Sequence, residues 1–461
     1  MTTPTVEELD AAVGLDPSTD ADLLDRDLTR VIALTEAGLF DDYLVYENRG
    51  NWVIAADIAG SVVLTTRTVT TTWDGEHSVT PWSGDPAEAL QRAFAALPAP
   101  QWNAVGWVGF EFSAHTQVAP DARRHGDTTL AHLFVPRIEI RFGRSTGDDV
   151  LVTGGTAAEK TAIAAALQRV RPSQPPPQAS TVDISTDTDH YRARACAAID
   201  EVRRGEYAKV ILSRTVPIPF EVDLPHTYRA GRLANTPARS FLLDIGGVAA
   251  AGFSPELVVA VDEQRMVSAE PLAGTRAFGQ GPEQDAAARR DLEQDPKELA
   301  EHAVSVRTAF REVASVASHG SAAVTDFMSV RERGSVQHLA STVRGRLRDE
   351  LSSWDAFAAV FPAVTASGIP KRESIEAITR LDDDERGLYS GAVVRTSSDG
   401  TLEAALVLRA VYQQQGRAWL RAGAGIVAQS TPEREFDETC EKLASVAPYL
   451  VRRPSNHDTE K

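Results

Sequence analysis

A chain of 461 residues, 43% hydrophobic and 24% charged, is long enough to bury a large core or to divide into two or three ordinary domains. Its net charge of −18 argues against nucleic acid and anionic membrane as partners, because both select basic surfaces. Two cysteines, Cys196 and Cys440, are too few for a disulfide framework and suit a reducing compartment.

The opening stretch MTTPTVEELDAAVGLDPSTDADLLD is acidic and polar, without the pattern of a signal peptide. No apolar run approaches the roughly 20 residues of a membrane span, so a cytoplasmic protein is expected. Alternating apolar residues predict strands across 43–73, interrupted at Arg49-Gly50. A helix is expected at 86–97, strands at 103–112, 132–142 and 149–154, and a helix at 157–171. The composition then breaks at RPSQPPPQASTVDISTDTD, residues 171–189, a linker or surface excursion. This separates an N-terminal α+β half, 1–180, from a richer region, 190–450; the two are expected to share one sheet core.

Beyond the break a helix (191–204) leads to the strand 207–218, and further strands are expected at 239–247 and on either side of Ser254-Pro255-Glu256. Helices are expected at 296–315, 353–360 and 371–381, a strand at 323–330, and three consecutive strands at 389–395, 401–414 and 417–428. Strands that follow one another in sequence predict antiparallel sheets with helices packed outside. The fold class is therefore α+β and layered, rather than a doubly wound parallel sheet.

The candidate chemistry concentrates in RAGAGIVAQSTPEREFDETCEK, residues 421–442. Gly423-Ala424-Gly425 would either turn sharply or bring backbone N–H groups close to a ligand. Ser430 or Thr431 then caps a helix, with Pro432 in its first turn and Glu433 completing a Ser-x-x-Glu box. Glu435, Glu438 and Lys442 follow on one face, beside an apolar stripe of Phe436, Leu443 and Val446. A second helix repeats the arrangement: Asp295 caps it, Pro296 opens it, and Glu298 and Glu301 sit at i, i+3. Facing one another, the two helices would offer up to four hard oxygen ligands with no histidine or cysteine, a set that suits Mg²⁺. The alternative is that these acids merely complement the helix dipoles.

Phosphate loops, dinucleotide fingerprints, nucleophile elbows and Cys-x-x-Cys pairs are absent from the sequence. A Mg²⁺ site without a phosphate loop points to a carboxylate-bearing substrate. Lys209 lies on the apolar strand YAKVILSRT, either as an edge residue or as a desolvated amine able to act as a base. Glu256 is either a turn residue or a carboxyl with raised pKa, able to donate a proton.

These residues sit in motifs that resemble the chorismate-utilising enzymes: KVILSR (209–214), SPE (254–256), EPLAGTR (270–276), KELAEHAVSVR (297–307), VQHLASTVRGRL (336–347), FPAVTASGIPK (361–371), RGLYSGAV (386–393) and RAGAGIVAQSTPEREFDET (421–439). YLVYENRGNW, VGWVGFEF and DFMSVRERGSVQHL are similar to the single-chain salicylate synthases of siderophore biosynthesis within that family. The resemblance implies two large antiparallel sheets packed together, with helices outside and a chorismate site in 190–450.

It further implies that Glu301 and Glu438 bind Mg²⁺ directly, with Glu298 and Glu435 nearby through water. Arg409 and Tyr389, with the amides of Gly423, Ala424 and Gly425, would hold the enolpyruvyl carboxylate of chorismate. Lys442, Gly274 and Thr275 would complete the pocket, with His338 and Thr365 beside it. Lys209 would activate water and Glu256 would protonate the departing hydroxyl, giving isochorismate and then salicylate plus pyruvate. Ammonia-using members resemble this chain but typically place Gln at the Lys209 position, so water is the expected nucleophile and no glutamine amidotransferase subunit is expected. A monomer fits the subgroup. Phe278 departs from the family, which often has arginine there. An isochorismate synthase that releases its intermediate, and a non-catalytic chorismate-binding paralogue, are the alternative readings.

Overall fold

The computed structural model describes residues 17–118, 126–169, 179–333 and 336–454. Within these residues every strand pairing is antiparallel, and the strands form one connected hydrogen-bonded array. Strands from before the 171–189 break pair with strands from after it: Tyr43–Asn48 with Arg239–Ile245, and Asn103–Val108 with Ala392–Ser397. The segments before and after the break thus contribute to one sheet array.

Alternation along the strands sorts side chains between an inside and an outside. Tyr46, Trp107, Phe134, Phe241, Val393 and Tyr412, all on strands, form a core with Leu388, Tyr389 and Val407 from the connecting segments. Helices cover the outer faces. Pro296–Val316 and Ser353–Val360 bury Val306, Val313 and Phe357 on one side. Pro17–Thr35, Leu224–Ala234 and Pro432–Leu443 bury Leu28, Val31, Tyr228 and Leu443 on another. Tyr191–Arg203 and Lys371–Leu381 pack Ile199, Ile375 and Ile378 behind the strand Lys209–Ile218.

Several boundaries differ from expectation for identifiable reasons. The strand expected over 103–112 stops at Val108, and Phe112–Gln117 is helical, with Phe112 turned against Phe357 and Phe361. The helix Pro282–Gln294 buries only Leu292, so it carries no apolar stripe to betray it. Strand 401–414 breaks into Leu402–Leu406 and Ala410–Gln414, because Arg409 adopts a left-handed φ of 51°. Strand 389–395 begins only at Ala392, after Ser390 at φ 61°.

The part of the 171–189 break that is described packs down: Ala179 bridges Val451, and Val182 and Ile184 lie on the core. Residues 170–178, and the opening residues 1–16, lie outside the described residues. No described helix is long and apolar enough to cross a membrane.

Candidate active site

Gly423-Ala424-Gly425 is not a turn but the middle of the strand Arg417–Ile426, paired with Ser213, Leu212 and Ile211. In an antiparallel ladder alternate residues direct both backbone groups to the same neighbour. The Ser213 N–H goes to Asp382, the Ile211 N–H goes to Ser367, and the Gly423 carbonyl accepts Lys442 Nζ at 2.8 Å. Gly423 and Gly425 therefore turn their amides away from the Lys209 strand. Ala424 turns its amide toward Leu212, which removes it from the three amides expected to face a ligand. The glycines also create space. A Cβ at Gly425 would lie 2.9 Å from Lys209 Cε, and one at Gly423 would lie 2.9 Å from Tyr389 Oη.

Lys209, largely buried at the start of its strand, hydrogen-bonds the Glu301 carboxylate. Glu301 and Glu298 occupy the first turns of Pro296–Val316, which Asp295 caps by accepting from Lys297 and Glu298 N–H. The facing helix Pro432–Leu443 is capped by Thr431 rather than Ser430. The expected Ser-x-x-Glu box does not form, because Ser430 Oγ accepts instead from Val427 N–H. On that helix Glu438 meets Lys442 at 2.9 Å. Burial alone would raise the Glu438 carboxyl, but the Lys442 ammonium holds it below its ordinary value. Lys442 is raised in turn: Glu438 outweighs the opposing effect of burial.

Glu298 and Glu435 behave differently. Burial raises both, and the neighbouring carboxylates, Glu301 and Glu438 respectively, raise them further. Glu435 is 7% exposed, and its Oε2 has no hydrogen-bond partner among the described residues. A buried carboxylate oxygen without a donor, in a group of like charges, is the condition a hard divalent cation relieves, so the residues fit Mg²⁺. No three of these four carboxylates converge within 4.8 Å. The single group of described residues that does, Glu36, Asp223 and His226, encloses a histidine raised to about 9 by hydrogen bonds to both acids, which is an ion-pair cluster.

Glu256 lies between Val248–Ser254 and Leu257–Val261 and is 5% exposed. Burial pushes its carboxyl up to about 8, although Thr365 Oγ1 donates to Oε2 at 2.8 Å and the Lys209 charge acts in the lowering direction. Such a carboxyl keeps its proton at neutral pH. On the other side, Arg409 Nη2 donates to His338 Nε2 at 3.3 Å. That assigns the ring proton to Nδ1, which donates to the Gly274 carbonyl at 3.0 Å and lies 3.1 Å from Thr275 Oγ1. Gly274, at φ 64°, leaves its Cβ position 3.0 Å from Glu298 Oε2, so this arm reaches the carboxylate helix. The structure thus joins the sixteen expected residues into one connected site, with Ala424 present through its ladder position alone.

Supporting residues escaped the sequence reading. Asp382, fully buried, accepts from the Ser213 N–H and from Arg386 at 2.8 Å and Arg421 at 3.3 Å. Both guanidinium groups lie within 6 Å of the Tyr389 ring, at 5.7 and 5.5 Å. Arg276 ties Asp291 and Asp295 together at 2.6 and 2.7 Å, fixing the cap of the Glu301 helix. Asp382 stands in a run of charges, Asp382-Asp383-Asp384-Glu385-Arg386, where nothing local marks it for burial.

Residues 41–448 match the chorismate binding enzyme family. The chain is 49% identical to the salicylate synthase of Mycolicibacterium paratuberculosis over 90% of each sequence. It is 32% identical to anthranilate synthase component 1 of Streptomyces coelicolor, over 81% of this chain and 78% of that one. Among solved structures it is similar to anthranilate synthase component I from Streptococcus pneumoniae (TM-score 0.72, 25% identity, 86% and 92% of the two chains). The menaquinone-specific isochorismate synthase from Escherichia coli shares the fold (TM-score 0.68, 19% identity, 95% and 92%). With a family match over most of its length and the site residues brought together, the chain belongs to the chorismate binding enzymes.

Proposed function

We propose that the protein is a Mg²⁺-dependent salicylate synthase that converts chorismate to isochorismate and then to salicylate and pyruvate, for siderophore biosynthesis. The observation that carries the reading is the juxtaposition of a carboxyl held protonated to about 8, Glu256, with the charge of Lys209 in one site. In this reading Lys209 leaves Glu301, gives up its ammonium proton to solvent, and as the neutral amine takes a proton from the attacking water as oxygen adds to ring carbon 2. Glu256 gives its proton to the 4-hydroxyl as that bond breaks. Isochorismate then transfers its carbon-2 hydrogen to the enolpyruvyl methylene within the molecule. That step needs positioning in a dry pocket rather than a further catalytic group.

Arg409, Tyr389 and the outward amides of Gly423 and Gly425 are assigned to the enolpyruvyl carboxylate, with Lys442, Gly274, Thr275, His338 and Thr365 around the ring. Glu301 and Glu438, supported by Glu298 and Glu435, would hold Mg²⁺. When bound, the ion supplies the positive charge that neutralises the ring carboxylate. Lysine at position 209 supports water rather than ammonia as nucleophile, so the chain is proposed to act without an amidotransferase subunit, as a cytoplasmic monomer.

The test is product analysis after incubation with chorismate and Mg²⁺. Salicylate and pyruvate in equal amounts, lost with EDTA, support the reading. Isochorismate accumulating without pyruvate assigns the first step alone. Lys209→Ala should consume no chorismate yet convert supplied isochorismate, and equal loss of both activities would remove the base assignment.

A further inference from the structure

Lys371 opens the helix Lys371–Leu381 and is buried, with 7% of its side chain exposed. A cation there opposes both the helix dipole and desolvation. Its ammonium meets Glu312 at 2.6 Å and the Val360 carbonyl at 2.5 Å. Burial lowers the lysine and raises the glutamate, so the contact is maintained against the preference of both groups. Buried pairs of this kind add little to stability over apolar residues of similar size. A geometric role accounts for it better.

The geometry is a clasp. Lys371 bonds back to Val360 and closes residues 360–371 into a loop, anchored through Glu312 to the helix that carries Glu298 and Glu301. One side of that loop presents Thr365 to Glu256 at 2.8 Å. The other pairs Ile369 with Lys209, receives the Ala208 N–H on the Ile369 carbonyl at 2.8 Å and the Ile211 N–H on the Ser367 carbonyl at 2.9 Å. Ser374, one turn into the helix, donates to the Lys209 carbonyl at 2.8 Å. One loop therefore touches both the acid and the backbone of the base, and one buried ion pair closes it.

We propose that the Lys371–Glu312 pair is a positioning device for the hydration step, setting Glu256 and Lys209 at a fixed separation through the 360–371 loop. This rests on the salicylate synthase reading. Displacing a reacting group by about an ångström from a distance lowers rate by up to ~10²-fold.

Lys371→Met should lower kcat for chorismate consumption by ~10- to 100-fold, with a smaller change in KM. Conversion of supplied isochorismate to salicylate should remain largely intact, which a merely structural loss would not allow. Because the single variant leaves Glu312 buried alone, Lys371→Met/Glu312→Leu keeps the site apolar and decides the matter if the single variant does not fold. Selective loss of hydration in the double variant supports the proposal. Near-normal hydration, or equal loss of both activities, overturns it. Wild-type protein that makes neither isochorismate nor salicylate would instead overturn the functional reading on which the proposal rests.

Discussion

Glu256 and Glu438 are both desolvated and both feel the charge of Lys209, yet their carboxyls are shifted in opposite directions. Glu438 has an ammonium 2.9 Å away, on the next turn of its own helix, and stays ionised. Glu256 has a hydroxyl donor but no paired cation, and burial, aided by the Glu270 charge, outweighs Thr365, Lys209 and Lys371 and holds its proton to about 8. Desolvation acts on both; the partner decides the sign. Two glutamates in one site can therefore serve as acid and as cation ligand without any difference in their own chemistry.

Glu256→Gln should break the comparison most severely. It keeps the shape and a hydrogen-bond donor but has no proton to give, so hydration should fall by ~10²- to 10⁴-fold while chorismate still binds. Calorimetric titration and isochorismate formation check the two halves, and near-normal isochorismate formation would refute the acid. The pH dependence follows from the same shift. The folded value, about 8, lies above the ordinary 4.5, so stability from binding this proton is complete below 4.5 and is lost as pH rises through about 8. Hydration should fall over the upper part of that window, and the glutamine variant should lack the matching decline in Tm.

Glu438→Gln tests the other member. It removes a ligand and leaves Lys442 without its partner, and Mg²⁺ affinity should weaken by ~10- to 100-fold in a metal titration of activity. An unchanged titration would count against the paired-helix site. The smallest effect belongs to Thr365→Val, which removes the donor that holds Glu256 down. The basic limb of the hydration profile should move up by about one pH unit, roughly the worth of one hydrogen bond to a charged acceptor. A downward move would mean that the hydroxyl does not stabilise the carboxylate.

Much of the site was legible as residue types at fixed spacings, because those relations are local. Glu438 and Lys442 at i, i+4 pair as helix geometry requires, and Asp295 caps as its position before Pro296-x-Glu298 implies. The misread parts involve neighbours distant along the chain. Gly423-Ala424-Gly425 fell inside the expected strand 417–428 yet also allowed a sharp turn, and the pairing with Ser213 to Ile211 decides for the extended form. Arg409 looked like a mid-strand residue; a left-handed φ, of a kind that costs on the order of 1–3 kcal/mol, breaks the strand there, with its guanidinium donating to His338. Lys371 ended the quoted motif FPAVTASGIPK, but its pairing with Glu312 gave no signal, since nothing local distinguishes a buried pair from two surface charges.

The amino-acid order by itself determined the antiparallel α+β class and the two proline-started carboxylate helices, since periodicity and capping act over a few residues, while Lys209 and Glu256 were singled out by the family resemblance of their motifs. Tertiary structure alone decided the states of those groups. Lys209 finds Glu301 92 residues away, and Glu256 finds Thr365 109 residues away. A pKa depends on which charges and how much water surround a group, and those are set only when distant segments meet.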